Sequence, residues 1–243
     1  MFEKYFSYTY KGEPFILFSW THLIMLVLTL LILGFLIIFR RTLQKTKNRF
    51  PIKWSIIILL ILSEISLNIW YVSTGAWNIQ ETLPLQLCTI SLILSVFMLL
   101  FKSYKLFEVV YFLGIAGAIQ ALLTPELFFG FPHYRFFHFF IAHMAIVFAS
   151  VYMVLIENYR PTVKSIWRAM LALNIIAFFV FIINKIIGSN YMFLAHKPDN
   201  PSLLDYLPSF PWYILYLELI ALGLFILLYL PFLFPIKNTR ERK

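Results

Sequence analysis

The sequence predicts an all-α polytopic membrane protein of seven transmembrane helices. Three observations carry that prediction. The composition is 61% hydrophobic and 13% charged, where soluble domains run nearer half apolar and a quarter charged. The chain holds seven apolar runs, most of them close to the ~20 residues that cross a ~30 Å hydrocarbon layer. Its basic residues gather in alternate connections between those runs, the pattern that topology selection produces. The 243 residues are absorbed by the spans, so one domain, 1–243, is expected. The net charge of +9 belongs to short connections rather than to one folded face, which excludes a nucleic-acid surface. Cys88 is the one cysteine, so no internal disulfide forms.

Span 1 is expected at 15–39, after the polar stretch EKYFSYTYKGEP, with His22 near its start. Polar residues before the run and Arg40–Arg41 after it reverse the order of a cleavable signal peptide. The basic connection RRTLQKTKNRFPIK leads to span 2, 54–73, which carries Glu64 and Asn68 four residues apart and so on one helical face. TGAWNIQET has turn character. Span 3, 84–101, opens at Pro84, a favourable first-turn residue, and contains Gln86 and Cys88. Span 4, 106–123, carries Gly114 and Gly117 as close-packing positions and Gln120 near its far end. Span 5, 135–156, starts after PHYR and holds His138 and His143. Span 6, 169–187, carries Asn174 low and Asn184 and Lys185 at its end. The Pro-rich connection GSNYMFLAHKPDNPSLLDYLPSFP precedes span 7, 212–234, which contains Glu218.

Fifteen of the twenty Lys and Arg residues fall in the connections after spans 1, 3, 5 and 7. The positive-inside rule then sets the amino terminus outside and the carboxyl terminus in the cytoplasm of a cell membrane. His22, Asn68, Gln86, Cys88, Gln120, His138, His143, Asn184 and Glu218 all fall in the outer halves of their spans, and Glu64 lies near the middle of span 2. Asn174 is expected in the inner half, and the inner halves of spans 1, 3, 4, 5 and 7 read as plain aliphatic and aromatic. An ionisable group in a span is costly against lipid, so these residues should converge on a cavity that opens outward or into the outer leaflet, above an apolar plug. His143 lies roughly 12 Å along its helix from Arg135, the deepest of the histidines. Each residue also has a bland role: Glu64 and Asn68 as interhelical glue, Cys88 as a small buried hydrophobe, His22 and His138 as interfacial groups.

One reading of such a cluster, which the family resemblance given below implies, is nucleophilic acyl transfer. Cys88 would attack an ester carbonyl with His143 as base, since a free thiol is mostly protonated at neutral pH. Gln86 or Asn68 would donate to the oxyanion, and Glu64 or Glu218 would orient the imidazole. Gln120 and His22 complete the polar lining. Arg135, His133 and Lys185, near the surface, would hold a phospholipid phosphate. No metal or other cofactor is indicated, because histidines at five-residue steps on one helix point about 140° apart. The alternative is a non-enzymatic seven-helix small-ligand receptor or proton-linked transporter that uses the same cavity.

Several stretches carry a resemblance: LSEISLNIW around Glu64, LPLQLCTI at 83–90, LLTPEL at 122–127, FIAHMAIVFASVY at 140–152, NYMFLAHKP at 190–198 and FPWYILYLEL at 210–219. Together they resemble the bacterial YwaF-type integral membrane proteins over nearly the whole chain. Through the middle spans they are similar to the transmembrane protein 164 family of lipid acyltransferases. That resemblance implies a seven-helix fold and a cysteine–histidine pair that forms an acyl-thioester and moves a fatty acyl chain between membrane phospholipids. His143 and Glu64 match the family's histidine and acid. The family's cysteine position holds Leu85 here, and Cys88 lies three residues on, one turn deeper on the same helical face.

Overall fold

A computed structural model describes residues 3–10, 12–198 and 203–233. The basic tail from Lys237 to Lys243 and Lys11, both used in the charge count, lie outside the described residues. Among the described residues the fold is all helical, apart from an isolated antiparallel bridge between Pro14 and Phe129. The helices are α1 (Glu3–Phe6), α2 (Trp20–Ile38), α3 (Arg40–Leu43), α4 (Thr46–Ser73), α5 (Leu87–Phe101), α6 (Tyr104–Leu123), α7 (Tyr134–Leu155), α8 (Val163–Ile187) and α9 (Trp212–Tyr229).

Six of them, α2, α4, α6, α7, α8 and α9, are long and apolar enough to cross a membrane. The third expected span is shorter than the rest. α5 has 15 residues, about 22 Å of helix, because Pro84 and Leu85 form a turn and Gln86 takes an extended backbone at the N-cap.

Other boundaries move for identifiable reasons. Span 1 begins at Trp20 rather than residue 15, where the Ser19 side chain caps the helix and Pro14–Phe15 pair with Phe128 and Phe129. The basic connection before span 2 is itself helical, so α4 starts at Thr46 and passes through Pro51 in its second turn. Span 6 starts at Val163, six residues early, because Thr162 and Ser165 form a reciprocal capping box. It ends at Gly188, whose φ of +68° suits glycine. The last span ends at Tyr229, and a 3-10 turn through Pro231 follows.

Contacts between helix ends fix an alternating, antiparallel order. At the end where α2, α5, α7 and α9 begin, here the upper end, His22 Nε2 bonds Leu122 O at the close of α6 (2.8 Å). Trp70 at the close of α4 stacks beside Tyr134 at the start of α7. At the lower end Glu157, just past α7, pairs with Lys102 (3.1 Å) and Arg49 (3.6 Å).

The core sits on α6 and α7. In α7, 67% of the span window is buried, and in α6 56%, against 11% for α8 and for α9. Small residues let α6 and α7 approach closely: a Cβ on Gly114 would meet Ile146 Cγ2 at 3.0 Å. The peripheral helices turn large apolar side chains such as Leu30, Ile69, Leu171 and Phe178 outward.

One expectation about the lower half fails. It is not plain hydrocarbon, because Glu108 on α6 is 1% exposed and bound by Arg168 of α8 through both carboxylate oxygens (2.7 Å each), with Ser165 Oγ donating as well. Glu108 follows three residues after the basic connection KSYK at 102–105, inside the expected span 4.

Candidate functional site

A cavity of about 1040 Å³ opens into the upper half of the bundle. That is at the upper limit of pockets for small ligands, which run ~300–1,000 Å³. Its wall includes seven of the residues singled out from the sequence: Glu64, Gln86, Cys88, Gln120, Arg135, His143 and Glu218. His138 is there as well, and the floor is apolar, formed by Leu92, Leu113, Ile146 and Phe225.

His143 sits in the third turn of α7, packed on Phe139 with ring centroids 4.2 Å apart. Its Nδ1 lies 2.6 Å from the Phe139 carbonyl oxygen. A carbonyl only accepts, so Nδ1 carries the proton and Nε2 keeps a lone pair. Nε2 has no hydrogen-bond partner among the described residues, and the ring lines the cavity. This is the tautomer a general base needs.

Cys88, in the first turn of α5, is half-buried and also lines the cavity. Its sulfur faces Gly117 of α6, where a Cβ would sit 4.0 Å from Sγ. No hydrogen bond joins Cys88 to His143. Gln86, directly before α5, accepts from the Met192 backbone N–H through Oε1 (3.1 Å). That bond orients the amide and leaves its NH2 group without a partner among the described residues, in the cavity wall.

Glu64 receives the Asn68 amide at Oε1 (2.9 Å). Asn68 also bonds the Glu64 carbonyl, so it supports the acid from behind the cavity wall. Glu218 accepts from Asn174 (3.0 Å), which joins α8 to α9. Asn174 was expected in the lower half. With α8 starting at residue 163, it lies eleven residues in, about 16 Å along the helix and near mid-depth.

Arg135 stands at the cavity's upper rim. It donates to His138 Nδ1 (2.9 Å), and its guanidinium lies over the rings of Trp70 (5.7 Å) and Tyr71 (5.8 Å). It makes no ion pair among the described residues; the pairs of Glu157 with Arg49 and Lys102 and of Glu108 with Arg168 lie at the lower end. His138 Nε2 donates to the Ser63 carbonyl (3.0 Å), so both its nitrogens are committed.

Four sequence-derived site residues stand elsewhere. His22 is fully buried, accepting the Phe18 N–H at Nδ1 (3.0 Å) and donating from Nε2 to Leu122 O, so it ties α2 to α6. His133 caps α7: Nδ1 accepts the Arg135 N–H (3.1 Å) and Nε2 donates to Ser7 O (3.1 Å). Burial holds its pKa below the ordinary histidine value. Neither ring has a nitrogen to spare for the cavity lining or a headgroup. Lys185 is exposed, lies over Phe181 (5.5 Å) and does not line the cavity. Asn68 acts only through Glu64.

Sequence reasoning missed Tyr71, Glu81, Glu126 and Asp205, which line the cavity near its rim. All but Tyr71 lie in connections, where no periodicity marks a facing side. The one available signal was their placement in or beside stretches already picked out: Tyr71 directly follows LSEISLNIW, and Glu126 lies within LLTPEL. The connection carrying NYMF is held firmly. Tyr191 is buried, its hydroxyl bonds Ile79 O and the Leu83 N–H (2.8 Å each), and Asn184 binds its backbone.

Residues 17–229 match the family model of the TMEM164 family, most of the chain. No curated protein and no solved structure matches it.

Proposed function

This chain belongs to the TMEM164 family, and we propose that it is an integral membrane phospholipid acyltransferase or transacylase that works through Cys88 and His143. The observation that carries this reading is the shared cavity: a half-buried thiol and an imidazole with an uncommitted Nε2 line one lipid-sized space. The proposed topology is seven spans in a cell membrane, counting α5 with the turn before it. The amino terminus is outside and the lower end cytoplasmic. Arg40, Arg41, Lys45, Lys47, Lys102, Lys105 and Arg160, all at the lower end, support that orientation.

In the proposed reaction, His143 Nε2 takes the Cys88 thiol proton and the thiolate adds to a phospholipid ester carbonyl. The Gln86 NH2 group donates to the developing oxyanion, with Gln120 in the same wall. The carbon–oxygen ester bond breaks, and the leaving glycerol oxygen takes the proton back from His143. The product is an acyl-thioester on Cys88 and a lysophospholipid. A second lysophospholipid hydroxyl then gives its proton to His143 and attacks the thioester, which restores the thiol. Arg135 offers the phosphate a cation that makes no ion pair among the described residues. Glu64 lines the same cavity. The apolar floor argues against a transport path, which would need polar groups across the full membrane.

Intact-mass analysis of the purified protein incubated with one defined phospholipid tests the reading. An added mass equal to one acyl group, absent in Cys88→Ala, is the expected result. A protein that returns free fatty acid and never carries the adduct would overturn the thioester step.

A further inference from the structure

Among the described residues, ten that line the cavity are also exposed; seven of them stand in the upper connections, and the others are Leu17, Gln120 and Ile220. These three belong to three elements, the stretch before α2, the end of α6 and the first half of α9. A wall residue that is also surface marks a place where the wall is open. Ile220 is eight residues into α9, about 12 Å along it, so the opening reaches below the interfacial layer into apolar depth.

The packing of α6 and α9 explains the gap. Their named contacts lie in the lower half, where Tyr111 OH donates to Leu228 O (3.0 Å) and Phe112 packs on Phe225 (5.3 Å). Higher up, Ala121 on α6 and Ala221 on α9 both face the cavity. Ala221 lies four residues, about 6 Å, above Phe225, and Ala121 nine residues, about 13 Å, above Phe112, so each is a small wall residue at its own level of the seam.

We propose that this gap between α6 and α9 is a lateral portal through which an acyl chain of a bilayer phospholipid reaches the cavity. The portal rests on reading the cavity as a lipid site, not on the thioester chemistry. Its occupant follows from the surroundings. The gap opens at a depth where neighbouring surface residues are apolar, with Leu219 58% exposed. An acyl chain drawn through water would lose favourable burial for every methylene. At the far side of the same cavity Arg135 stands ready for a phosphate, so one molecule with an apolar chain and an anionic head matches both ends.

The test uses the full-length protein in phosphatidylethanolamine–phosphatidylglycerol vesicles containing a phosphatidylcholine with a diazirine on its acyl chain. Crosslinks are mapped by peptide mass spectrometry. The expected labels fall on 116–124 of α6 and 214–224 of α9. Ala121→Trp and Ala221→Trp, from opposite walls, should each reduce cavity-side labelling by about tenfold or more. Gly223→Trp is the control: Gly223 is exposed, a Cβ there meets nothing within 4 Å, and it points about 200° away from Ala221, so labelling should persist. Labelling unchanged in both alanine variants, or confined to other helix pairs, overturns the portal. If neither alanine variant folds, Ala121→Leu and Ala221→Leu repeat the comparison with smaller blocks. Labelling that is blocked as expected, in a protein that never forms an acyl adduct, would leave the portal standing and remove the acyltransferase reading.

Discussion

His143 donates its Nδ1 proton to the carbonyl of Phe139, one turn back on the same helix, at 2.6 Å. A backbone acceptor thus does the orienting work that a carboxylate does in a triad. Glu64 is in the same cavity but makes no hydrogen bond to the ring. The backbone bond fixes which nitrogen faces the cavity without placing a second charge beside it.

From that bond we expect His143→Ala to lower acyl transfer by about 10²–10⁴-fold, the range of a positioned general base, with folding retained. Glu64→Gln should cost far less, because the carbonyl still sets the tautomer. Transfer rates for the two variants on one phospholipid decide this. An equal loss in both would show that the acid is needed to orient the ring.

Cys88 and His143 share a wall without a hydrogen bond, so their coupling forms only when substrate is bound. If they act as one unit, the Cys88→Ala, His143→Ala double variant should be no slower than either single variant. Should Cys88→Ala keep full lipid conversion while His143→Ala loses it, the histidine activates water or a lipid hydroxyl directly.

His22 belongs to the scaffold. His22→Ala leaves Leu122 O and the Phe18 N–H without their buried partner, at about 1–3 kcal/mol each. Thermal unfolding in detergent should fall clearly, while the acyl adduct on surviving protein should form as in the parent.

His133 makes the attachment of the amino-terminal segment pH-dependent. Burial lowers its pKa in the fold below the ordinary 6.5, so the neutral ring is favoured. Its stabilisation is complete above pH 6.5 and is lost as pH falls below that toward the lower folded value. Protonation would also put a proton on Nδ1, which now accepts the Arg135 N–H. Hydrogen exchange of residues 5–10, corrected for intrinsic rate, should rise in mild acid. His133→Asn, which keeps a cap, should remove that rise.

At the lower end, Arg168→Met strands the buried Glu108 carboxylate. A loss of about 1–3 kcal/mol is expected, part of it recovered by replacing Glu108 with Leu in the same chain. Unfolding midpoints of the three proteins measure it. No recovery in the double variant would mean that Arg168 stabilises through other contacts.

The class of this protein was legible in run length and charge placement alone, because the hydrocarbon thickness sets how many apolar residues a crossing helix needs and the positive-inside bias needs no tertiary contact. Residues such as Glu64, Gln86, Cys88, Gln120 and His143 line one cavity. Which nitrogen, oxygen or face each one presents was decided only by tertiary structure. Each residue of helix turns the side chain about 100°, so a start displaced by a few residues, as at Thr46 or Val163, reassigns depths and partners. The alternative acceptors lie on other helices: Leu122 O for His22, Ser7 O for His133 and Ser63 O for His138. Sequence alone therefore cannot separate a histidine with both nitrogens occupied from His143, whose Nε2 faces the cavity. The buried Glu108 stayed hidden for the same reason, since its partner Arg168 lies sixty residues further along the chain.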